Sequence, residues 1–262
     1  MKKGTIYSFA ALLAITSLLL SSCAAAATPE PTATNTPLPP TITSTPTLAS
    51  TSTATPKPTV TLTPTATINA TATQQVKDFE ALVQEYYDAK YVSSTSGTYT
   101  RLTDKKKSWA KIGYYLWEPT VYSPTNFIIK TDISWMSASA AADTSGCGYV
   151  FRLQDNDTQD HYLLFVSLKG YVQIATNVGD RFNWLGKATY GNPAQEGKAT
   201  VVLIVEDSTF RVLVNGKLLK TFTGFAGKLT TGNLAYTVIS GTNKSYGTQC
   251  KFDNTELWTI TK

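Results

Sequence analysis

The sequence predicts an all-β domain, an antiparallel β-sandwich, preceded by a short N-terminal helix and a disordered stalk. From residue 91 onward, apolar residues recur with a period of two in about ten to thirteen short runs. Turn residues separate these runs, and no run between them has the 3.6-residue period of a helix. Successive strands without intervening helices are typical of a sandwich, and about 190 residues are enough for one well-cored domain.

The first 22 residues have the pattern of a bacterial lipoprotein signal peptide. Lys2 and Lys3 precede an apolar run that is shorter than the roughly 20 residues of a membrane-spanning helix. The run from Leu20 to Cys23 (LSSC) resembles a lipobox, whose final thiol receives a lipid. We therefore expect a palmitate-type anchor on Cys23, at the cell membrane or outer envelope, with the chain facing the extracytoplasmic side. An ordinary signal peptide with a chance cysteine is the alternative.

Residues 23–73 form a linker of different composition. Its stretch 28–73 contains 18 Thr and nine of the 12 prolines, and the charged residues there are Glu30 and Lys57. So little apolar surface cannot offset the entropy lost on folding, and proline favours extended conformations. We expect a disordered stalk, with or without O-glycosylation.

Residues 74–92 predict a short amphipathic helix. Val76, Phe79, Val83 and Tyr86 recur at spacings of three and four, and neither Gly nor Pro interrupts them. The β-sandwich domain would then span 93–262.

Strand candidates follow along the domain at 127–135, 149–154, 161–168, 171–175, 200–206, 209–214, 234–240 and 250–260. Tyr149, Phe151 and Leu153 alternate and are expected on one face of their strand. Asn215-Gly216 is the strongest turn signal, because both residues tolerate the positive φ of a type I′ turn.

Cys147 and Cys250 remain once Cys23 carries the lipid, since the chain has three cysteines. Two remaining cysteines in an exported protein favour a disulfide. Two buried free thiols are the alternative.

Several short runs resemble a known fold family. They are 146–149 (GCGY), 160–162 (DHY), 214–217 (VNGK) and 252–258 (FDNTELW). Over 95–262 the chain resembles the concanavalin A-like lectin/glucanase jelly roll and its laminin G-like relatives. It is similar to copies on Thr/Pro-stalked surface lipoproteins of Chloroflexi-type bacteria. The resemblance implies the fold and not an activity, because this fold hosts lectins, hydrolases, lyases and protein-binding domains.

Signals for catalysis are mostly absent, so no catalytic residue and no cofactor is assigned. His161 is the single histidine, and neither a Gly-x-Ser-x-Gly nor a His-Glu-x-x-His motif occurs. The Glu-x-Asp-x-x-Glu spacing of the glucanases of this fold is missing too. Asp253 and Glu256 lie three apart on one predicted strand and are expected on opposite faces.

A loop at 155–160 offers hard oxygen ligands for calcium in Asp155, Asp157 and Asp160. It lacks the later Gly and Glu of an EF-hand loop. A polar hairpin turn is the alternative interpretation.

The stretch 180–192 (DRFNWLGKATYGN) suggests sugar recognition. Aromatic faces cover the apolar side of a sugar ring, and planar polar groups bind its hydroxyls. The candidate ligand-binding residues are Arg152, Asp180, Arg181, Asn183, Trp184 and Tyr190. For Trp184 and Tyr190, packing in the core or at an edge is the alternative.

The formal net charge of +5 falls to +3 without Lys2 and Lys3, which is no electrostatic footprint for nucleic acid. We expect a lipid-anchored module that binds a glycan or another extracellular polymer, for adhesion or substrate capture. One alternative is a carbohydrate-active enzyme whose carboxylates come from separate strands. Another is a structural or protein-binding envelope domain.

Overall fold

The computed structural model describes residues 70–139, 144–192, 194–224 and 228–261. The predicted signal peptide, Cys23 and the stalk up to residue 69 lie outside the described residues. The described chain runs through α1 (Ala70–Asp88), β1 (Gly97–Arg101), β2 (Lys105–Trp109), β3 (Tyr114–Pro119), β4 (Phe127–Ser137), β5 (Gly146–Leu153), β6 (His161–Ser167), β7 (Tyr171–Val178), β8 (Arg181–Thr189), β9 (Glu196–Glu206), β10 (Thr209–Val214), β11 (Lys217–Thr223), β12 (Asn233–Ser240) and β13 (Thr248–Ile260).

The strands form two antiparallel sheets. The back sheet has the order β1-β13-β4-β9-β10-β11, and β2 pairs with the first half of β13. The front sheet has the order β3-β12-β5-β6-β7-β8. The chain crosses between the sheets after β2, β3, β4, β8, β11 and β12. The predicted all-β antiparallel sandwich of jelly-roll type is confirmed.

The main core lies between the two sheets. Phe151 and Tyr162 of the front sheet meet Phe210 of the back sheet, with ring centroids 5.1 Å and 4.8 Å from that of Phe210. All three rings are fully buried. Full burial of a large apolar side chain contributes about 1.5–3 kcal/mol, so such contacts between the sheets dominate the stability of the sandwich.

A disulfide also joins the two sheets. Cys147 in β5 is bonded to Cys250 in β13, with their Cα atoms 5.7 Å apart. Both residues are fully buried. The pairing predicted from the cysteine count is therefore present, and it crosses the core rather than a surface loop.

Helix α1 packs on the outer face of the back sheet. Its apolar side, including Phe79, Val83 and Tyr86, is buried against sheet residues that include Ile128 and Trp258. The amphipathic helix predicted at 74–92 is confirmed, although it begins earlier and ends at Asp88. Among the described residues, no helix is long and apolar enough to cross a membrane.

A backbone irregularity at Arg152 changes the faces expected for β5. Arg152 has a φ of 55°, beside a register shift in the pairing of β5 with β12. Tyr149 and Phe151 therefore face the core, whereas Leu153 packs on the outer face of the front sheet. The prediction that these three residues share one face is wrong.

A second irregularity lies in β13. Asn254 has a φ of 51°, and the pairing with β4 moves there from Asp253–Asp132 to Glu256–Lys130. Lys130 and Asp132 are two residues apart and share a face, and cross-strand partners share a face as well. Asp253 and Glu256 thus lie on the same outer face. The prediction of opposite faces is wrong, because the inserted residue of a bulge shifts the two-residue period.

Candidate ligand-binding site

The outer face of the front sheet carries a cluster of rings that we call the aromatic surface. Each of β3, β6 and β8 contributes two members, spaced by two or four residues so that they share a face. The members are Tyr115, Trp117, His161, Phe165, Phe182 and Trp184. Contacting rings in this set have centroids 4.8–6.3 Å apart, which is the range of favourable aromatic pairs.

The aromatic surface lies on the inside of a curved sheet. Tyr115 is on edge strand β3 and Phe182 on the opposite edge strand β8, yet their ring centroids are 6.3 Å apart. Five strand spacings separate these edges, about 24 Å across a flat sheet. Two aromatic side chains cannot close that gap alone, so the front sheet must curl towards this face.

His161 lies at the centre of this surface and is buried. Its Nε2 lies 3.0 Å from the Tyr115 hydroxyl, and its Nδ1 contacts the carbonyl oxygen of Gln159. Burial lowers the pKa of His161 and outweighs the opposing effects of Gln159 and Asp160. Burial also raises the pKa of Tyr115 to about 12. A neutral imidazole then donates from Nδ1 to Gln159 and accepts from Tyr115 at Nε2, which leaves the surface uncharged.

Phe182 and Trp184 are the accessible members of the aromatic surface. They are 40% and 51% exposed, and their rings meet edge-to-face at 4.8 Å. Trp184 lies opposite Ala175, beside a bulge at which the pairing of β7 moves on to Gly186. Gly186 has a φ of 150°, which a residue with a side chain rarely adopts. The bulge and the edge position together leave the two rings open to solvent.

The predicted ligand-binding residues of β8 are accessible. Trp184 belongs to the aromatic surface, and Asp180, Arg181 and Asn183 are exposed at the β7–β8 turn and along β8. Asp180 has a φ of 58° and is part of that tight turn. All four are exposed, but Arg181 and Asn183 alternate with Phe182 and Trp184 along β8, so they lie on the opposite face of that strand from the aromatic surface.

Tyr190 does not join them. Its ring packs edge-to-face against Trp135 at 6.3 Å, and its hydroxyl donates to the carbonyl oxygen of Ser167 at 2.9 Å. Burial raises its pKa well above the ordinary value. The packing role, the alternative from the sequence, is the one that fits Tyr190.

Arg152 is also placed away from any ligand, because it is only 2% exposed. Its Nη1 and Nη2 atoms donate to the carbonyl oxygens of Leu229 and Thr125, each at 3.1 Å. The guanidinium carbon lies 5.4 Å from the centroid of Phe210. Arg152 thus joins two loops to the core, which is inconsistent with the predicted contact to an external ligand.

The candidate calcium loop is organised by its own hydrogen bonds. Asp160 accepts from the Thr158 hydroxyl at 2.6 Å and from the backbone N–H of Gly179 at 2.7 Å, and these bonds lower its pKa. Asp155 and Asp157 do not join Asp160, because no group of three or more acidic, His or Cys side chains in the described ranges could hold a metal ion. The hydrogen bonds of Asp160 are those that a polar turn makes.

Most of the aromatic surface was not predicted from the sequence. Tyr115 and Trp117 belong to β3, a strand that was not predicted, and they meet His161 only because β3 and β6 share a sheet. The alternation of Tyr115 and Trp117 was the available signal. Phe182 was inside the suggestive stretch but was not singled out.

The fold and this site define a class: a two-sheet antiparallel β-sandwich with an aromatic outer face. No protein-family model matches the sequence, and no curated protein is similar enough to match.

Solved structures with similar folds do exist. The carbohydrate-binding module CBM66 from Bacillus subtilis is 11% identical, with a TM-score of 0.44 over 60% of this chain and 94% of that one. Sheep galectin-11 is 10% identical, with a TM-score of 0.38 over 56% of this chain and 98% of that one. A Bacillus licheniformis β-glucanase is 14% identical, with a TM-score of 0.39 over 54% of this chain and 69% of that one. At such identities the site has to be interpreted from this chain's own side chains.

Proposed function

We propose that this protein is a non-catalytic binding module that holds a glycan or another extracellular polymer on its aromatic surface. A lipid on Cys23 anchors it to the cell membrane or outer envelope, and its role is adhesion or substrate capture. The observation that carries the proposal is the accessible Phe182–Trp184 pair at the mouth of a curled, uncharged aromatic face.

The chemistry of this face suits a sugar chain. Exposed rings offer flat apolar area to the C–H face of a sugar at low entropic cost. Asp180, at the exposed turn before β8, supplies a carboxylate for hydroxyls, whereas Arg181 and Asn183 alternate with Phe182 and Trp184 and therefore face the other side of β8. A neutral His161–Tyr115 pair below the rings adds no charge that a neutral polymer would have to desolvate.

The same face is poorly equipped for glycoside hydrolysis. Retaining and inverting glycosidases use two carboxyl groups across the scissile bond. The six strands of the front sheet contain one acidic residue, Glu118, which forms ion pairs with Lys105 and Lys107. A binding role therefore fits this surface better than an enzymatic one.

Helix α1 lies on the opposite side of the sandwich from the aromatic surface. It covers part of the outer face of the back sheet, through Phe79 and its neighbours, whereas the rings line the outer face of the front sheet. The first element of the described chain thus leaves the proposed binding face uncovered. Such an arrangement suits a domain that is tethered through residues before α1.

Replacing Trp184 with alanine is expected to weaken binding by about thirtyfold or more. Loss of a central aromatic contact typically costs at least about 2 kcal/mol. The measurement is binding of the wild-type and Trp184→Ala proteins to an array of plant, fungal and bacterial polysaccharides. Tyr246→Ala is the matched control, because Tyr246 is a similarly exposed aromatic residue outside the cluster.

Equal signals from wild type and Trp184→Ala would exclude the aromatic surface as the binding site. Release of reducing sugar from a bound polysaccharide would instead favour the carbohydrate-active enzyme. A co-purified protein partner together with an empty array would favour a protein-binding envelope domain.

The lipid anchor is tested with the full chain. Cys23→Ala is expected to abolish incorporation of radiolabelled palmitate and to move the protein from the membrane fraction to the soluble fraction, because no other anchor is proposed. Labelling that persists in the variant would contradict lipidation at Cys23.

A further inference from the structure

The outer face of the back sheet contains a polar cleft beside the area covered by α1. Its volume is about 510 Å³, within the range of small-molecule sites. The floor comes from β4 and β9, one wall from the bulge of β13, and the other from the Asn215-Gly216 turn. We propose that this cleft is a second binding site, for a neutral hydroxyl-rich ligand such as a mono- or disaccharide.

The register of the back sheet brings two carboxylates together in the cleft. Asp132 in β4 and Asp253 in β13 are direct cross-strand partners on the same face. Their Cβ atoms are then about 5 Å apart, and like charges at that separation destabilise a sheet. The pair therefore carries an electrostatic cost that the packing of the sheet does not require.

The surrounding residues hold both carboxylates in place through hydrogen bonds and an ion pair. Asp132 accepts from the Thr200 hydroxyl at 2.7 Å and from the Asn254 side-chain amide at 2.9 Å. Although partial burial alone raises the pKa of Asp132, these two hydrogen bonds and nearby positive charges outweigh it, and the pKa is lowered. Lys251 pairs with Asp253 at 2.7 Å. Both side chains are thus held in place as hydrogen-bond acceptors.

The cleft also holds polar groups that are not used inside the protein. Lys198 and Ser134 line it and make no side-chain hydrogen bond or ion pair with the other described residues. Asn215 accepts from the backbone N–H of Thr200 through Oδ1, which leaves its Nδ2 donors free. Donors and acceptors therefore face one space that has room for a ligand.

The chemistry of the ligand follows from this set. The two negative charges of Asp132 and Asp253 are balanced by the two positive charges of Lys198 and Lys251. A charged ligand would therefore gain little electrostatic attraction in the cleft. Among the described residues no aromatic side chain lines the cleft, so ring stacking does not supply the affinity there. Fixed carboxylates, an ammonium group and an amide are the partners that hydroxyl groups need, because each hydroxyl both donates and accepts.

The cleft shares no residue with the aromatic surface, and it lies on the other sheet. The proposal is therefore independent of the proposed function. With both sites present, one domain could hold two saccharide segments at once on opposite faces.

The test is titration of the isotopically labelled protein with a panel of neutral mono- and disaccharides at concentrations up to the order of tens of millimolar, followed by NMR. This range detects the millimolar affinity of a small polar site. Shifts are expected for the side-chain amides of Asn215 and Asn254 and for the backbone amide of Thr200, because these groups line or border the cleft.

Asp253→Asn and Lys198→Ala should each raise the dissociation constant obtained from these shifts by about tenfold or more. Each substitution removes a charged hydrogen-bonding group. Lys217→Ala, an exposed lysine on β11, is the matched control and should leave them unchanged. Trp184→Ala should also leave them unchanged, which separates this site from the aromatic surface.

No shift at Asn215, Asn254 or Thr200 with any sugar of the panel would overturn the proposal. Shifts that persist equally in Asp253→Asn and Lys198→Ala would overturn it as well. Circular dichroism of each variant checks that the fold is retained, so that a loss of shifts reports on binding.

Discussion

Replacing Cys147 and Cys250 together with alanine should lower the free energy of unfolding by about 4–5 kcal/mol. The bond closes a loop with a sequence separation of 103 residues, and the chain-entropy model gives about 4.7 kcal/mol for a loop of that length. For a domain of this size, 1 kcal/mol corresponds to roughly 2–4 °C, so the unfolding midpoint should fall by about 8–20 °C. Thermal unfolding followed by circular dichroism measures it.

Alanine is the suitable replacement because both sulfurs are fully buried. Serine would bury two hydroxyls without an established hydrogen-bond partner, and this would lower the free energy of unfolding by itself. Wild-type protein unfolded in the presence of a thiol reductant is the control, because it keeps the sulfur atoms and removes only the bond. Agreement between the reduced protein and the variant assigns the effect to the crosslink. A midpoint within about 3 °C of oxidised wild type in both would mean that the bond contributes little stability.

Many strands could be predicted from the sequence, because successive side chains of a strand point alternately to its two faces and apolar residues recur on the face that meets the core. The runs that became β4, β6, β10 and β13 are found where expected. Arg152, Gly186 and Asn254 could not be predicted in the same way. Each is the site of a positive φ, beside a register shift that depends on the partner strand, and for Arg152 and Asn254 that partner is distant in sequence. One bulge in β13 was enough to reverse the expected relation of Asp253 and Glu256.

The candidate site could be predicted only in part, because the sequence does not show where the register of a strand shifts. Trp184 lies in a stretch whose composition suggests ligand binding, and it is exposed. Tyr190 lies six residues further on with similar neighbours, yet it packs against Trp135. What separates them is the bulge at Gly186 and the end of the edge strand, which change the face that each side chain occupies. Composition identifies candidate residues, but only the register decides which of them reach the surface.

The junction between helix and sandwich gives the second large expected effect. Phe79 is 2% exposed and lies between two aromatic residues of the back sheet. Its ring stacks on Trp258 at 6.3 Å and meets Tyr99 edge-to-face at 5.7 Å. Truncating such a residue to alanine usually costs about 3–5 kcal/mol. Most of the stability of a helix in a protein comes from the packing of its apolar face, so the 19-residue α1 depends on this docking for its structure.

Phe79→Ala should therefore release α1 while the sandwich stays folded, because the core between the sheets contains neither Phe79 nor its partners. Amide hydrogen exchange in α1 should rise on the order of a hundredfold or more, whereas exchange in β6 should change far less. Tyr87→Ala on the same helix is the control, since Tyr87 is 38% exposed and its removal leaves the docked face intact.

Unchanged protection of α1 in Phe79→Ala would contradict the predicted release of the helix. It would mean that the contacts after the helix, between Ser93 and Glu206 and between Arg211 and the Tyr91 carbonyl, hold the junction without the apolar face. Release would instead show that one ring decides whether the chain before the sandwich joins it as a fixed helix or as a flexible segment.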